Sequence, residues 1–555
     1  MSTFTGLNTM VKGVYSNQLA LNTVGHNIVN ADTPGYSRQA VNPVASKPEY
    51  RGSMYGNVAV GMGVETESIT RSRDTYADVQ YRNESSNQSY YEATATNFDK
   101  LESIFNDSND SGIEASLKEF YKSWVDLSTD ASASASRVSV IDKGKTFSDT
   151  IQTATKGLQE HIRDIYADIS LYVDKVNSIL DDIVGLNKNI IADEASGAMA
   201  NDLRDQRDLL TDELSQYINI TVHENSVGSY QISSGGTSLV SGADRLHLQM
   251  SDPVQSNFYG INYGLVDYTI NIRESATLFQ PQNGKIAASF DAIAKSKSYI
   301  DDMANMAAFM LTTLNDQHAQ GYDLNGDRGI NFYGITGYTY EYAYDDYDHF
   351  DYVKIKDENG NYLMDDDGNI QKLAGVDVIE RLKVNEQFDE TGGYKFLAAA
   401  TAVEDFVDSD GNVAEIEWGN RTADGTNSVY ISELFNMSYD NIVTAGRANA
   451  VVIKKYSDTF STINSLGGRS INDYYKTSMT QLGVEAKAMD TKIASQELIM
   501  DQIQSWRDST SGVDWNEELA NMIKYQKGYS ACSRCLNAMD ECLEKLVNST
   551  GVVGR

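Results

Sequence analysis

The sequence predicts an α+β multidomain chain: an elongated, helical, coiled-coil-like shaft formed by both termini, with β-rich domains inserted into it. Three observations carry this reading. Apolar residues recur alternately three and four apart at both ends, long stretches between them keep a helical period, and two internal stretches instead alternate residue by residue between glycine-rich turns. With 555 residues the chain also exceeds what one hydrophobic core serves.

At the N-terminal end Phe4, Leu7, Val11, Val14, Gln18, Leu21, Gly25 and Ile28 fall on one seam of a helix roughly 37 Å long. Gln18 and Gly25 weaken that seam, so the helix is marginal alone. It ends at Thr33, which precedes Pro34 and is biased out of the helical region, and Pro34-Gly35 suits the centre of a type II turn. An elbow follows. At the other end Asp514 reads as an N-cap with Glu517 as its capping-box acid. Met522, Tyr525, Tyr529, Cys532, Leu536, Met539, Leu543 and Leu546 then form an uncharged seam, flanked by Lys524, Lys527, Arg534, Asp540 and Glu544. Paired ends and core-facing helices of an ordinary bundle both satisfy this periodicity.

Between the ends, Tyr76–Phe105, Ile113–Leu127 and Val138–Tyr217 read as helices, the second with Ile113, Leu117, Phe120, Trp124 and Leu127 on one stripe and the third with Ile162, Ile165, Ile169, Tyr172, Val176, Ile179, Ile183 and Leu186 on one face. Alternation from Ile218 to about Arg273 marks a small β domain, and helix returns over Ile286–His318 and Met479–Ile503. Tyr338–Asp440, rich in Tyr, Asp and Gly, reads as an inserted β domain with hairpin turns at Asn359, Asp367 and Asp410. The expected organisation is an N-terminal helix (1–36) pairing with a C-terminal helix (512–555), a helical shaft (37–217), a small β domain (218–281), a helix returning to the shaft (282–330), an inserted β-rich outer domain (331–475) and a further shaft helix (476–511).

Lys and Arg number 45 against 79 Asp and Glu, a formal net charge of −34, which repels phosphate backbones and anionic lipid heads. Nucleic acid and membrane surfaces are therefore not expected partners. No run approaches the ~20 apolar residues of a membrane span, and Met1–Val14 lacks the basic and apolar regions of a cleaved signal peptide. Three cysteines cannot make a disulfide framework.

Motifs for chemistry are sparse. Four loops beginning at Asp323, Asp357, Asp365 and Asp408 share Asp-x-Asn/Asp-Gly, but their glycines fall at position 4 and position 12 lacks the bidentate glutamate of a calcium loop, so hairpin turns are expected. Cys532-x-x-Cys535, with Cys542 beyond, lacks a nearby histidine and reads as seam packing. The six histidines are scattered, with His318 expected as a polar helix-end residue, and no nucleophile elbow or phosphate loop is present. No catalytic residue, cofactor or metal ligand is assigned, and the chain is not expected to be an enzyme.

Asn22–Gln39 (NTVGHNIVNADTPGYSRQ), built around Asn27, Ile28, Asn30, Thr33, Pro34, Gly35 and Tyr36, resembles the N-terminal signature of the bacterial flagellar rod, hook and hook-associated proteins. Ser511–Leu546 is similar to that family's C-terminal helix, and Asp202–Asp208 (DLRDQRD) and Asn315–Asp327 agree in order. The resemblance implies a structural subunit at the hook-filament junction, outside the cell, exported by the flagellar type III apparatus without a cleaved signal. It implies self-association in a helical assembly through the terminal helices, which line an axial channel while the insertions face outward. The implied partners are the flagellar hook protein, a second hook-filament junction protein and an export chaperone on the C-terminal helix. A cytosolic coiled-coil scaffold or binding protein would explain the helices and charge but not the elbow. A hydrolase housed in the insertion is the weakest reading, since no acid, base or nucleophile stands out.

Overall fold

The computed structural model describes residues 3–53, 56–105, 112–195, 197–256, 261–345, 350–365, 368–401, 422–438 and 466–549. Helix α1 (Thr3–Val29) runs into the elbow, where the Tyr36 N–H donates to Thr33 O at 3.1 Å and Gly35 takes a φ of 78°, as a type II turn requires. Strands follow where the sequence pattern had suggested helical shaft: β1 (Gln39–Ala45) pairs antiparallel with β4 (Val64–Arg71) around the hairpin β2 (Glu49–Ser53) and β3 (Gly56–Val60). Pro43 interrupts β1 at a register shift, and its pattern of partly buried and exposed residues gives little alternation to read.

Helix α2 (Thr75–Phe105) leads to α3 (Ile113–Thr129) and to α4 (Ser134–Glu194), whose 61 residues span about 90 Å. The helical run expected to reach Tyr217 breaks after Glu194, and α5 (Asn201–Tyr217) folds back on α4. Gly197 at φ 88° makes that reversal, and the Glu194 carboxylate closes it by accepting from the Ala200 N–H at 3.0 Å. Along α4, Ile162, Ile165, Ile169, Val176, Ile179 and Ile183 of the stripe read from the sequence are buried, and Tyr172 and Leu186 are half-buried.

A four-stranded antiparallel meander of β5 (Thr221–Glu224), β6 (Tyr230–Ser234), β7 (Thr237–Ser241) and β8 (Asp244–Arg245) follows. Two short antiparallel pairs complete the small β region: β9 (Leu248–Met250) with β12 (Ile270–Ile272), and β10 (Val254–Gln255) with β11 (Val266–Asp267). Helix α6 (Gly284–Phe309) passes through a buried π-helical stretch (Met310–Leu314) into α7 (Asn315–Gln320). The insertion then contributes one sheet, β13 (Thr339–Asp345), β14 (Phe350–Lys356) and β15 (Lys372–Leu373), followed by α8 (Val376–Arg381), two 3-10 turns and α9 (Thr426–Leu434). Among its described residues it carries as much short helix as strand. Helices α10 (Ile471–Ser511) and α11 (Trp515–Ser549) return along the shaft, α10 packing on α2 and α11 on α1.

The main core centres on α3. Phe120 and Trp124 meet Phe147, Phe332, Tyr333 and Phe435, and Gly144 admits Phe332 so closely that a Cβ there would stand 2.7 Å from its ring. His318 lies in the last turn of α7, the helix end expected for it, and is fully buried beside Trp124 and Phe332. Its Nδ1–H donates to Ile330 O at 2.5 Å and its Nε2 accepts from the Ala398 N–H at 2.9 Å, so the neutral ring uses both nitrogens.

The Asp-x-Asn/Asp-Gly loops are turns built on their first residue. Asp323 Oδ1 accepts from the N–H groups of Asn325 (2.7 Å) and Asp327 (2.9 Å), Asp357 Oδ1 from Asn359 (2.9 Å) and Asn361 (2.8 Å), and Asp365 Oδ1 from Asn369 (2.7 Å). Gly326, Gly360 and Gly368 supply the positive φ. The loop at Asp408 lies outside the described residues.

Candidate functional site: the joined chain ends

Helices α1 and α11 lie antiparallel and approach closely because glycines face the partner. A Cβ on Gly6 would stand 3.0 Å from Met539 Cε, on Gly13 2.9 Å from Cys532 Sγ, and on Gly528 2.4 Å from Asn17 Oδ1. Ala20, Val24 and Asn27 continue this row on α1 and are buried. The heptad row read from the sequence lies about a quarter-turn away, at ~100° per residue: Leu7, Val11, Val14, Leu21 and Ile28 are half-buried, Gln18 is exposed and Gly25 meets nothing. Strands β1 and β4 cover a further face, with Lys12 bonded to Ser46 (3.1 Å) and paired with Glu65. Phe4 and Leu546 belong to the first and last turns of the two helices.

On α11, Met522, Tyr525, Cys532, Leu536, Met539 and Leu543 are half-buried and Tyr529 is exposed, while Glu518 alone of the described side chains is fully buried. Cys535 and Cys542 are exposed, so only Cys532 packs in the seam. Tyr15 and Val29 on α1, and Trp515, Leu519 and Ile523 on α11, are left exposed.

At the elbow Asn27 spends its whole side-chain capacity. Its Oδ1 accepts from Tyr36 Oη (2.7 Å) and the Gln39 N–H (3.0 Å), and its Nδ2 donates to Gln39 O (2.9 Å) and Glu518 Oε2 (3.1 Å). Asn30 Nδ2 donates to His26 O (3.0 Å), and Thr33 Oγ1 donates to Asn30 Oδ1 (3.2 Å). Gly35 presses on Leu209 of α5, with a hypothetical Cβ 3.1 Å from it. Burial, with Asp202, Asp205 and Glu518 nearby, pushes the Tyr36 phenol well above its ordinary range and keeps it a hydrogen-bond donor. Arg38 then clasps the C-terminal helix, Nε on Glu518 (2.8 Å) and Nη2 on Glu517 (2.9 Å), while its backbone N–H donates to Ser511 O at the end of α10 (2.9 Å). Asp514 caps α11 as read, accepting from the Asn516 N–H at 2.7 Å, whereas Glu517 turns to Arg38.

Replacing Asn27 by Ala removes the acceptor of the Tyr36 hydroxyl and the Gln39 N–H and the amide donor to the buried Glu518 Oε2, leaving Glu518 to Arg38 alone, a loss of about 2–3 kcal/mol. Hydrogen exchange should quicken at the elbow and in the first turns of α11 while α4 stays protected. Unchanged elbow exchange would mean that Asn27 does not hold the two ends.

Behind the elbow lies an ion cluster assigned no role by the sequence reading. Arg71 pairs with Asp205 (2.7 Å) and Asp208 (2.8 Å), Arg73 with Asp78 (2.7 Å) and Asp208 (3.5 Å), Arg82 with Asp212 (2.8 Å) and Asp208 (3.3 Å), and Arg507 with Asp78 (3.0 Å) and Asp212 (2.7 Å). Four guanidinium groups thus balance four carboxylates across the β4–α2 connection, α2, α5 and α10. Burial raises the Asp208 carboxyl, but Arg73, Arg71, Arg82 and the Tyr230 hydroxyl outweigh it and hold it far below the usual carboxylate range. The Ser37 N–H donates to Asp205 at 2.9 Å and Arg73 reaches Ser37 Oγ at 3.1 Å, which fastens elbow to cluster. The repeated acids of DLRDQRD were the available signal, since Asp205 and Asp208, with Asp212 four residues beyond the motif, recur at helical spacing on α5.

A chain whose two ends close into one antiparallel helix pair, locked by an elbow motif and leaving apolar residues exposed, has the architecture of an elongated helical structural protein. Residues 98–333 match the helical domain of the flagellar hook-associated protein FlgK, and residues 507–549 the C-terminal domain of the flagellar basal body rod FlgEFG proteins. Flagellar hook-associated protein 1 of Bacillus subtilis (strain 168) is 27% identical over 584 residues, covering 100% of each chain. That of Salmonella typhimurium is 23% identical over 561 residues, covering 98% of this chain and 99% of its own. The solved flagellar hook junction protein FlgK of Burkholderia pseudomallei shares the fold, with a TM-score of 0.57 at 15% identity over 78% of this chain and 100% of its own. Over its full length the chain is thus similar to flagellar hook-associated protein 1 sequences, and across residues 98–333 to the helical domain of FlgK.

Among the described residues no helix is long and apolar enough to cross a membrane.

Proposed function

We propose that this chain is a structural subunit of the junction between flagellar hook and filament, polymerised through α1 and α11. The observation that carries the reading is the joined ends themselves: α1 and α11 pair through glycines and one buried asparagine, yet Tyr15, Val29, Trp515, Leu519 and Ile523 remain exposed. Neighbouring copies would cover them, together with the half-buried row Leu7, Val11, Val14, Leu21 and Ile28 and with Met522, Tyr525, Tyr529, Leu536, Met539 and Leu543. The hook protein lies on one side and a second junction protein on the other. The subunit leaves the cell through the flagellar type III apparatus without a cleaved signal peptide, and an export chaperone covers the apolar side of α11 beforehand. The described strands and helices of the insertion, β13 to α9, stand outside this assembling end.

Changing Leu519, Ile523 and Tyr529 together to Ser alters only exposed side chains, so the monomer should keep its helical signal. Immunodetection in sheared flagella should then fall to background, with motility lost. Incorporation at the wild-type level would remove α11 from the assembly surface. Wild-type protein found only in the cytosol would favour the scaffold reading.

A further inference from the structure

The hydrogen bonds of the elbow fix which nitrogen of His26 carries the proton. The Gln39 N–H can only donate and the Gln39 carbonyl can only accept, so their bonds set the Asn27 amide with Oδ1 on the former and Nδ2 on the latter. The same Oδ1 takes the Tyr36 proton, at 2.7 Å. What Tyr36 Oη has left for the His26 ring, whose Nδ1 lies 3.0 Å away, is a lone pair, so Nδ1 is the donor. In the neutral ring Nε2 is then the bare nitrogen. It faces a carboxylate, since Asp202 Oδ2 of α5 stands 3.8 Å from it.

Both groups are held in place. The His26 ring meets the Tyr36 ring edge-on, with centroids 5.5 Å apart. Asp202 accepts from Gln39 Nε2 at 2.8 Å through its other oxygen, and Gln39 Oε1 accepts in turn from Asn201 Nδ2 at 3.3 Å. A nitrogen lone pair and a carboxylate repel, whereas a proton on Nε2 turns the same geometry into an ion pair. His26 also sits in the last turn of α1, where the helix presents its negative end to a cation. The other charges around the Tyr36 phenol are Asp205 of α5 and Glu518 of α11, both acids. Arg38 is engaged by Glu517 and Glu518, and Asp32 is the other titratable residue of the elbow.

We propose that His26 is a proton-operated latch between the end of α1 and α5. With the ring neutral, the elbow is held by Asn27 and Arg38 alone; with the ring protonated, a further tie runs from the Tyr36 turn through His26 to Asp202. That tie crosses the bend where the joined chain ends meet the shaft, so proton uptake stiffens the bend. The two side chains are 42% and 61% exposed, which keeps the gain to that of a surface ion pair. The inference does not depend on the polymer reading.

The full-length chain is labelled with isotopic nitrogen in its histidines, and His26→Gln assigns the signal. At about pH 8 the wild type should show the Nδ1–H tautomer, and towards about pH 5 both ring nitrogens should carry protons. Over the same range the amide exchange of Tyr36 and Gln39, corrected for its intrinsic pH dependence, should slow about threefold, the size an exposed ion pair supports. Asp202→Asn keeps an acceptor for Gln39 and removes the charge, so its elbow amides should not slow, while its circular dichroism matches the wild type. Groups that titrate elsewhere, Asp301 among them, act alike in both proteins and cancel in the comparison. An Nε2–H tautomer at about pH 8 overturns the hydrogen-bond assignment on which the latch rests. Equal slowing in the wild type and in Asp202→Asn, or none in either, overturns the latch itself.

Discussion

Changing Asp208 to Asn should cost about 3–5 kcal/mol of stability, because it leaves a buried guanidinium surplus. Arg71, Arg73 and Arg82 all reach this one carboxylate, and the Tyr230 hydroxyl donates to it. In the variant an amide of equal size offers one acceptor oxygen and no charge to three cations. The loss should appear as a lower urea midpoint, with Arg82→Met less harmful in the Asp208 variant than in the wild type. That coupling, read from a double-mutant cycle, separates the ionic contribution from lost packing. Because Asp205, next in the cluster, holds the Ser37 N–H, elbow amides should also exchange faster. A stability change within experimental scatter would show that solvent already screens the cluster.

Acidification should destabilise the chain by about 3 kcal/mol through His318 alone, at ~1.4 kcal/mol per unit of pKa difference. Burial lowers this ring from 6.5 to about 4, and its two hydrogen bonds require the neutral tautomer. Between those values the unfolded chain takes up a proton that the folded chain refuses, so the stabilisation is complete above pH 6.5 and is lost as pH falls to about 4. His161, lowered by burial and then by Lys100 to about 4, acts in the same sense. Asp301 acts oppositely. Burial raises it to about 7 against the Tyr263 hydroxyl bonded to it at 3.0 Å, so its contribution is present below its ordinary value of 3.8 and is lost as pH rises towards 7. Thermal unfolding followed across this range should show His318→Gln less stable at neutral pH but less sensitive to acid, and Asp301→Asn relieved of the neutral-side loss. Parallel profiles for all three proteins would rule out these groups as the source.

Much of the fold was legible because helix periodicity is local. The stripe of α3, the long stripe of α4 and the cap at Asp514 follow from neighbours within a few turns, and they stand where the spacing placed them. The elbow was legible for the same reason: Thr33, Pro34 and Gly35 carry their conformational bias within three residues. Strands β1 to β4 were not, because Pro43 and the partly buried faces of β1 and β4 leave no clean alternation. His318 stands at the helix end where it was read, but its burial was not legible, since nothing in its neighbours announces that Trp124 and Phe332 will enclose it.

By itself the sequence determined that both chain ends are long amphipathic helices, that a sharp elbow follows the first, and that the surface is strongly acidic. Only the tertiary structure decided which row of α1 meets α11. An apolar heptad row stated that something would be buried, but close helix approach favours positions without side chains, so Gly6, Gly13 and Ala20 took the contact and Leu7, Val11 and Val14 turned partly outward. The same holds for the ion cluster. Arg71, Arg73, Asp78, Arg82, Asp205, Asp208, Asp212 and Arg507 become neighbours only when four distant segments pack, and burial then makes their charge balance decisive, because a low-dielectric interior tolerates no uncompensated charge.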